Sequence, residues 1–149
     1  MTLRFRCVLL LLIVLTLCFI WGNSMLPPEA STKVSDTVTE WLGGTPSHEQ
    51  TDPDLPQWQR HDFIVRKTAH FVEFMLLGIE IIALLYPIHH GMAGLVVLCG
   101  LFCPLLDETI QIFSHRTAAV ADVWLDILGY TVGCLIALAI THFVLGRKK

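Results

Sequence analysis

Charged side chains are scarce in this chain of 149 residues. Asp, Glu, Lys and Arg make up 15% of it, whereas a typical soluble domain contains about 25%. Hydrophobic residues reach 54%, and the net charge of -3 excludes the basic surface of a typical nucleic-acid-binding domain. This balance predicts a single integral membrane domain, residues 1–149, with membrane lipids as its partners.

Several catalytic motifs are also missing. The chain contains no H-E-x-x-H, no G-x-S-x-G and no P-loop, and its five cysteines form no C-x-x-C pair. All five cysteines lie inside apolar runs, where we expect small packing residues rather than metal ligands or disulfides. The sequence therefore favours a protein that is not an enzyme and that requires no cofactor or metal.

Four apolar runs are long enough, with their flanks, to cross a bilayer. We place the spans at about residues 5–23, 63–86, 92–113 and 121–145. Pro104 predicts a kink in the third span. Residues 24–62 hold five of the seven prolines and seven acids, which is typical of a solvated loop, with a short amphipathic helix that Gly43-Gly44 ends. The predicted fold is all-α, an integral membrane four-helix bundle with a long extracytoplasmic loop between helices 1 and 2.

Positive charge at both ends of the chain predicts its orientation. Arg4 and Arg6 precede the first span, and Arg147, Lys148 and Lys149 follow the fourth. Because segments kept in the cytoplasm are enriched in Lys and Arg, we expect a multi-pass protein with both termini in the cytoplasm. The acidic loop then lies outside the cell, and the polar side chains near it lie in the outer half of the membrane.

Ionisable side chains are concentrated near one end of the last three spans. Such groups are costly inside a bilayer and are by default functional candidates. Because each helical residue turns by about 100°, we expect their three polar faces to converge inside the bundle. The candidate polar site consists of Lys67, His70, Glu73, Asp107, Glu108, Gln111, Arg116, Asp122 and Asp126. Within it, Lys67 and His70 should face the Asp107–Glu108 pair. The guanidinium of Arg116 should either bridge neighbouring carboxylates or serve only as an interfacial anchor.

Small residues mark one face of the fourth span. Gly129 and Gly133 lie on the same side as Asp122 and Asp126. A Gly-x-x-x-Gly strip lets two helices approach closely, so both glycines should pack against another helix. That helix belongs either to the same chain or to a second copy in a homo-oligomer.

Three motifs carry most of these polar residues. They are Arg66-Lys67-x-x-His70-Phe71-x-Glu73-Phe74, Asp107-Glu108-x-x-Gln111, and Arg116 followed by Asp122-x-x-x-Asp126-x-x-Gly129. Together with Asn23-Ser24 and the serines Ser31 and Ser35, they resemble the VanZ-like family of bacterial membrane proteins. Phe74 stands where that family often has Tyr, and Asp126 stands where it often has Asn.

The resemblance implies a protein of the bacterial cytoplasmic membrane that acts at the cell envelope. The member that gave the family its name is linked to low-level resistance to the glycopeptide teicoplanin, without remodelling of the peptidoglycan terminus. The resemblance therefore implies a role in glycopeptide susceptibility. From the residues themselves, four acids against Lys67 and Arg116 predict a mixed-charge pocket. Such a pocket suits a zwitterionic or cationic group, or an anionic lipid headgroup held by Lys67 and Arg116, so we expect a lipid-linked molecule or a glycopeptide as its ligand.

Two other functions stay open from the residues alone. One is a membrane-embedded enzyme acting on a lipid-linked or anionic headgroup. Its divalent cation would be bound, or its general acid and base would be supplied, by His70, Glu73, Asp107, Glu108 and Asp122. The other is a small proton-coupled carrier, because intramembrane acids and histidines relay protons.

Overall fold

The computed structural model of the chain describes residues 3–49, 56, 60–85, 93–116 and 119–146. Every regular element in these ranges is a helix, and they contain no strand. In chain order the elements are α1 (Leu3–Ser24), α2 (Pro28–Trp41), a short 3-10 turn (Ser47–Glu49), α3 (His61–Leu85), α4 (Ala93–Gly100), α5 (Phe102–Phe113) and α6 (Val120–Gly146). The predicted tight turn at residues 87–91 and the basic residues 147–149 lie outside the described ranges.

Four helical stretches are long and apolar enough to cross a membrane. They are Leu3–Ser24, His61–Leu85, Gly94–Phe113 and Val120–Phe143, each close to its predicted bounds. Their outer faces expose large apolar side chains, as in α1 and at the end of α6. Such faces suit contact with lipid tails, and the helical backbone satisfies its own hydrogen bonds there. The predicted all-α fold with four spanning helices is confirmed.

Helices α3 and α6 form the most extensive helix pair, and glycines set their separation. A Cβ added at Gly129 would overlap the carbonyl group of Phe71, and one added at Gly133 would overlap that of Met75. Only a residue without a side chain lets the two backbones approach this closely. Of the two partners considered for this strip, the helix in contact with it belongs to the same chain.

An apolar core lies between α3, α6 and the second half of α1. It consists of Ile20, Phe74, Leu77, Ile81, Ile82, Leu85, Tyr130, Cys134 and Ala137. Phe74 is fully buried in this core, so the hydroxyl that the resemblance led us to expect would meet apolar neighbours. All five cysteines are free, and only Cys134 is buried.

The third span is broken into α4 and α5 at Leu101, three residues before the predicted kink at Pro104. Proline has no N–H, and its ring crowds the carbonyl four residues earlier, so it disrupts the turn that precedes it. The N–H of Leu101 donates to the carbonyl of Leu98 at 3.0 Å, a 3-10 pattern. The hydroxyl of Tyr130 on α6 donates to the carbonyl of Val97 at 3.1 Å, so α4 is hydrogen-bonded to α6 in the turn before the break.

The segment 24–62 is more helical than the predicted loop. The short amphipathic helix expected inside it is α2, which runs for 14 residues and packs on α3. Its end is the expected glycine pair, because the N–H groups of Gly43 and Gly44 donate to the carbonyls of Glu40 and Thr39. This bonding needs a left-handed residue after the helix, and Gly43 supplies it with a φ of 78°.

Candidate functional site

Asp107 is the most deeply buried carboxylate of the candidate site and is 0% exposed. The hydroxyl of Ser24, the last residue of α1, donates to Oδ1 of Asp107 at 2.6 Å. The side-chain amide of Gln111, one helical turn further along α5, donates to Oδ2 at 2.7 Å. Two donors from two helices therefore hold this carboxylate in one orientation.

His70 and Glu73 of α3 face Asp107 across the bundle. Nδ1 of His70 lies 3.9 Å from Oε2 of Glu73 and 3.9 Å from Oδ2 of Asp107. Both separations exceed a hydrogen bond, so the imidazole stands near the two carboxylates without bonding to either. The amide of Asn23 on α1 donates to Oε1 of Glu73 at 3.2 Å.

Lys67 and Glu108 connect the site to the start of α6. Lys67 forms an ion pair with Asp122 in the first turn of that helix. Its ammonium also lies 5.2 Å from the ring centroid of Phe63, within the range of a cation–π contact. Glu108 accepts a hydrogen bond from the backbone N–H of Ala119, just before α6. The contacts with Asp122 and Ala119 thus give Lys67 and Glu108 polar partners, and a buried ionisable group without a partner would be costly.

Arg116 follows α5, and the local backbone determines where it lies. The N–H of Arg116 donates to the carbonyl of Gln111 at 3.0 Å, and that of His115 donates to Ile112 at 3.1 Å. This is the bonding of a helix ended by a left-handed residue, here His115 with a φ of 57°. A residue other than glycine is strained in that conformation, and such strain concentrates at functional sites. Nη1 of Arg116 lies 3.4 Å from the carbonyl oxygen of Asn23.

The expected bridge between Arg116 and the carboxylates is not formed within the described part of the chain. The nearby carboxylates are held instead by the hydroxyl, amide, ammonium and backbone N–H donors named above. Burial lowers the pKa of the Arg116 guanidinium, and the positive charge of Arg66 lowers it further. Because arginine stays charged in proteins, this group is a poorly solvated cation with donors left for a ligand.

Some buried polar atoms of the site lack a partner among the residues described. They include Nδ1 of His70, Oε2 of Glu73, Oε2 of Glu108 and Oδ1 of Asp126. Ligand atoms of His70, Asp107 and Asp126 lie within 4.8 Å of one another. These three side chains form the group best arranged to hold a metal ion in the described ranges.

A cavity of about 460 Å³, here called the mouth cavity, is lined by Lys67, Gln111, Arg116 and Asp122 of the candidate site. Its charged lining consists of Arg60, Asp62, Arg66, Lys67, Arg116 and Asp122. Arg60 and Arg66 share Asp62, with N–O distances of 3.3 and 3.5 Å, and Lys67 pairs with Asp122. With four cations and two acids, the lining carries an excess of positive charge.

A second cavity of about 110 Å³, here called the side cavity, lies between α2 and α3. Arg66 and Arg116 line both cavities, so the two adjoin. Val34, Val38 and Val65 give the side cavity an apolar wall. The side cavity thus combines this apolar wall with ionisable side chains, which include His70 and Glu73.

The structure brings the nine predicted candidate residues into one region, linked by the contacts described. Five polar residues described in this region were not among the nine candidates, namely Asn23, Ser24, Arg60, Asp62 and Arg66. A polar pair at the end of an apolar run was the available signal for Asn23 and Ser24. Their partners lie 50 and 83 residues away, which no local pattern reveals.

Comparison with protein families gives a match over most of the chain. The model of the VanZ/LLP1 family matches residues 8–142, which include all nine candidate residues and most of each spanning helix. Neither the comparison with curated proteins nor the comparison with solved structures finds a match. The chain therefore belongs to the VanZ/LLP1 family, as its motifs predicted.

Proposed function

We propose that this protein acts at the bacterial cell envelope by holding the anionic headgroup of an envelope lipid in the mouth cavity. We further propose that this lowers susceptibility to glycopeptide antibiotics such as teicoplanin. The role in susceptibility follows from the family, and the class of ligand follows from the chemistry of the cavity.

The guanidinium of Arg116 is the observation that carries this proposal. It is half-buried, it lines the mouth cavity, and its one described polar contact is the 3.4 Å approach to Asn23. Arginine presents a planar fork of donors that matches phosphate and carboxylate oxygens. The other cations of the cavity have acidic partners, so Arg116 is the group most available to an anion.

The side cavity supports a ligand with a hydrocarbon tail. Its valine side chains line the same cavity as Arg66 and Arg116. A lipid phosphate near Arg116 would direct its first methylene groups along Val34 and Val38, where burial of each methylene contributes roughly 0.8 kcal/mol. A free anion would fill the charged space alone.

We propose that the mouth cavity opens on the outer side of the cytoplasmic membrane, with both termini in the cytoplasm. Arg4 and Arg6 stand at the start of α1, and Asn23 at its other end contacts the site. The cavity therefore lies at the end of the bundle opposite the first basic residues. Because cytoplasmic segments are enriched in Lys and Arg, the basic end of α1 lies in the cytoplasm and the cavity faces the outside of the cell.

The test compares Arg116→Ala and Arg116→Lys with the unaltered protein. Each is expressed in a teicoplanin-susceptible bacterium, and the minimal inhibitory concentration of teicoplanin is measured together with the amount of protein in the membrane. We expect the unaltered protein to raise that concentration and both variants to lose most of the effect, because an ammonium cannot reproduce the donor fork.

Lys33→Ala is the matched control, because Lys33 is an exposed cation of α2 outside the linings of both cavities. It should keep the full effect. Full protection by Arg116→Ala at normal membrane abundance would overturn the proposal. Loss of protection in Lys33→Ala as well would show a response to net charge rather than to the cavity.

A further inference from the structure

Three buried side chains from three helices lie close together in the polar site. His70 comes from α3, Asp107 from α5 and Asp126 from α6. One nitrogen and two carboxylate oxygens lie within 4.8 Å of one another. All three residues are buried, with exposures of 8%, 0% and 2% in that order.

The unpartnered atoms of this group point to a missing ligand. Oδ1 of Asp126 and Nδ1 of His70 are buried and have no hydrogen-bond partner among the described residues. Buried polar atoms of native proteins are nearly always satisfied, by protein, water or an ion. A small cavity of about 10 Å³ adjoins His70 and Asp126, roughly the space of one water molecule or ion.

Asp107 is oriented in the way that metal-binding carboxylates usually are. Ser24 and Gln111 donate to its two oxygens at 2.6 and 2.7 Å. Hydrogen bonds of this kind fix a ligand carboxylate and are a regular part of metal sites. Two cations, Lys67 and Arg116, also line the small cavity. Lys67 is paired with Asp122, and the carboxylates of Asp107 and Asp126 supply the negative charge that favours a divalent ion beside Arg116.

We propose that His70, Asp107 and Asp126 bind one divalent transition-metal ion of the zinc or manganese type. Two carboxylates balance the charge of the ion and an imidazole nitrogen completes the set, whereas magnesium and calcium prefer oxygen ligands alone. Bonds of about 2.0–2.2 Å require the three ligand atoms to draw together by about 1 Å. Three protein ligands leave a coordination position for water or another ligand.

This metal site is distinct from the headgroup-binding site proposed above. It uses His70, Asp107 and Asp126, none of which lines the mouth cavity, and neither Arg116 nor a lipid is among its ligands. A failure of either proposal leaves the other intact.

Metal binding is tested first with the unaltered full-length protein in detergent. The protein is treated with EDTA, dialysed and titrated with ZnCl₂ or MnCl₂, while metal content and thermal unfolding are measured. We expect one tightly bound ion per chain and a higher unfolding temperature, because an ion that binds only the folded state stabilises it. MgCl₂ at the same concentration should have a much smaller effect.

Two variants locate the ion. Asp126→Asn keeps the shape of the side chain and removes its charge, and we expect it to weaken binding by about 10–100-fold or more. Glu80→Gln is the control, since Glu80 lies on the same helix as His70 but accepts a hydrogen bond from Thr16 on α1. Glu80→Gln should bind as tightly as the unaltered protein.

Absence of saturable binding to the unaltered protein would overturn the proposal. Equal binding by Asp126→Asn would also overturn it, because the ion would then sit on surface histidines. If Asp126→Asn fails to fold, the absorption spectrum of Co²⁺ with the unaltered protein decides. A spectrum of nitrogen–oxygen ligation of low symmetry is expected, and the spectrum of aqueous Co²⁺ would contradict the site.

Discussion

The hydroxyl of Ser24 donates a 2.6 Å hydrogen bond to Asp107, a residue 83 positions later in the chain. Both side chains are 0% exposed, so this bond joins the end of α1 to the middle of α5 away from water. It also orients the most deeply buried carboxylate of the polar site. A bond in this position bears on both the stability of the bundle and the geometry of the site.

Ser24→Ala should therefore destabilise the protein by about 1–3 kcal/mol, because it leaves a buried carboxylate oxygen without its donor. Thermal unfolding of the purified protein in detergent measures the change. Thr37→Ala is a matched control, since the exposed Thr37 hydroxyl bonds only to the carbonyl of Lys33 in its own helix. An equal loss of stability in the two variants would show that the Ser24 bond has no special role.

The glycines of the α3–α6 contact lead to a second prediction. Gly133→Ala places a Cβ against the carbonyl of Met75 and should destabilise the protein by about 1–3 kcal/mol through overpacking. Gly22→Ala is the control, because a Cβ there meets nothing within 4 Å in an equally helical position. It should raise stability by about 0.5–1 kcal/mol, the gain in helix propensity. Thermal unfolding of the two variants should thus shift in opposite directions.

Asp36 gives a prediction about pH. The hydroxyl and the backbone N–H of Ser47 donate to its two oxygens at 2.6 and 2.8 Å, and Nδ1 of His48 lies 3.7 Å away. Burial alone raises the pKa of Asp36, but the hydrogen bonds from Ser47 and the contact with His48 outweigh it and lower the pKa below its ordinary value. The ionised form is therefore favoured by folding.

A lowered folded-state pKa stabilises the protein above the unfolded pKa, and this contribution disappears as pH falls through the folded value. The unaltered protein should thus unfold at a higher temperature than Asp36→Asn at about pH 5, and the difference should shrink towards about pH 3. Both proteins contain the same other acids, so the titration of those acids cancels in the difference between the two unfolding temperatures. A difference that stays constant over this range would contradict the prediction.

The orientation of the bundle can be tested with single cysteines. In a variant without the five native cysteines, Glu49→Cys lies in the exposed 3-10 turn and His142→Cys lies near the far end of α6. A membrane-impermeant maleimide should label Glu49→Cys in intact cells and His142→Cys only after lysis. The reverse pattern would put the mouth cavity in the cytoplasm.

The sequence by itself determined the four spans and the polar character of one end of the bundle. Span length follows from bilayer thickness, so apolar runs alone locate the helices to within a few residues. The helical repeat of about 100° likewise predicts that His70 and Glu73 share a face and that Gly129 and Gly133 line another. These features depend on local chain geometry and on the surrounding solvent.

Only the tertiary structure decided which charged groups pair. Lys67 pairs with Asp122 on α6, Ser24 and Gln111 hold Asp107, and Arg116 remains available to the mouth cavity. Side chains on different helices meet according to the depth, rotation and separation of those helices, and here close glycine packing sets the α3–α6 separation. A rotation by one residue, about 100°, would exchange the partners, and no pattern within a single helix contains that information.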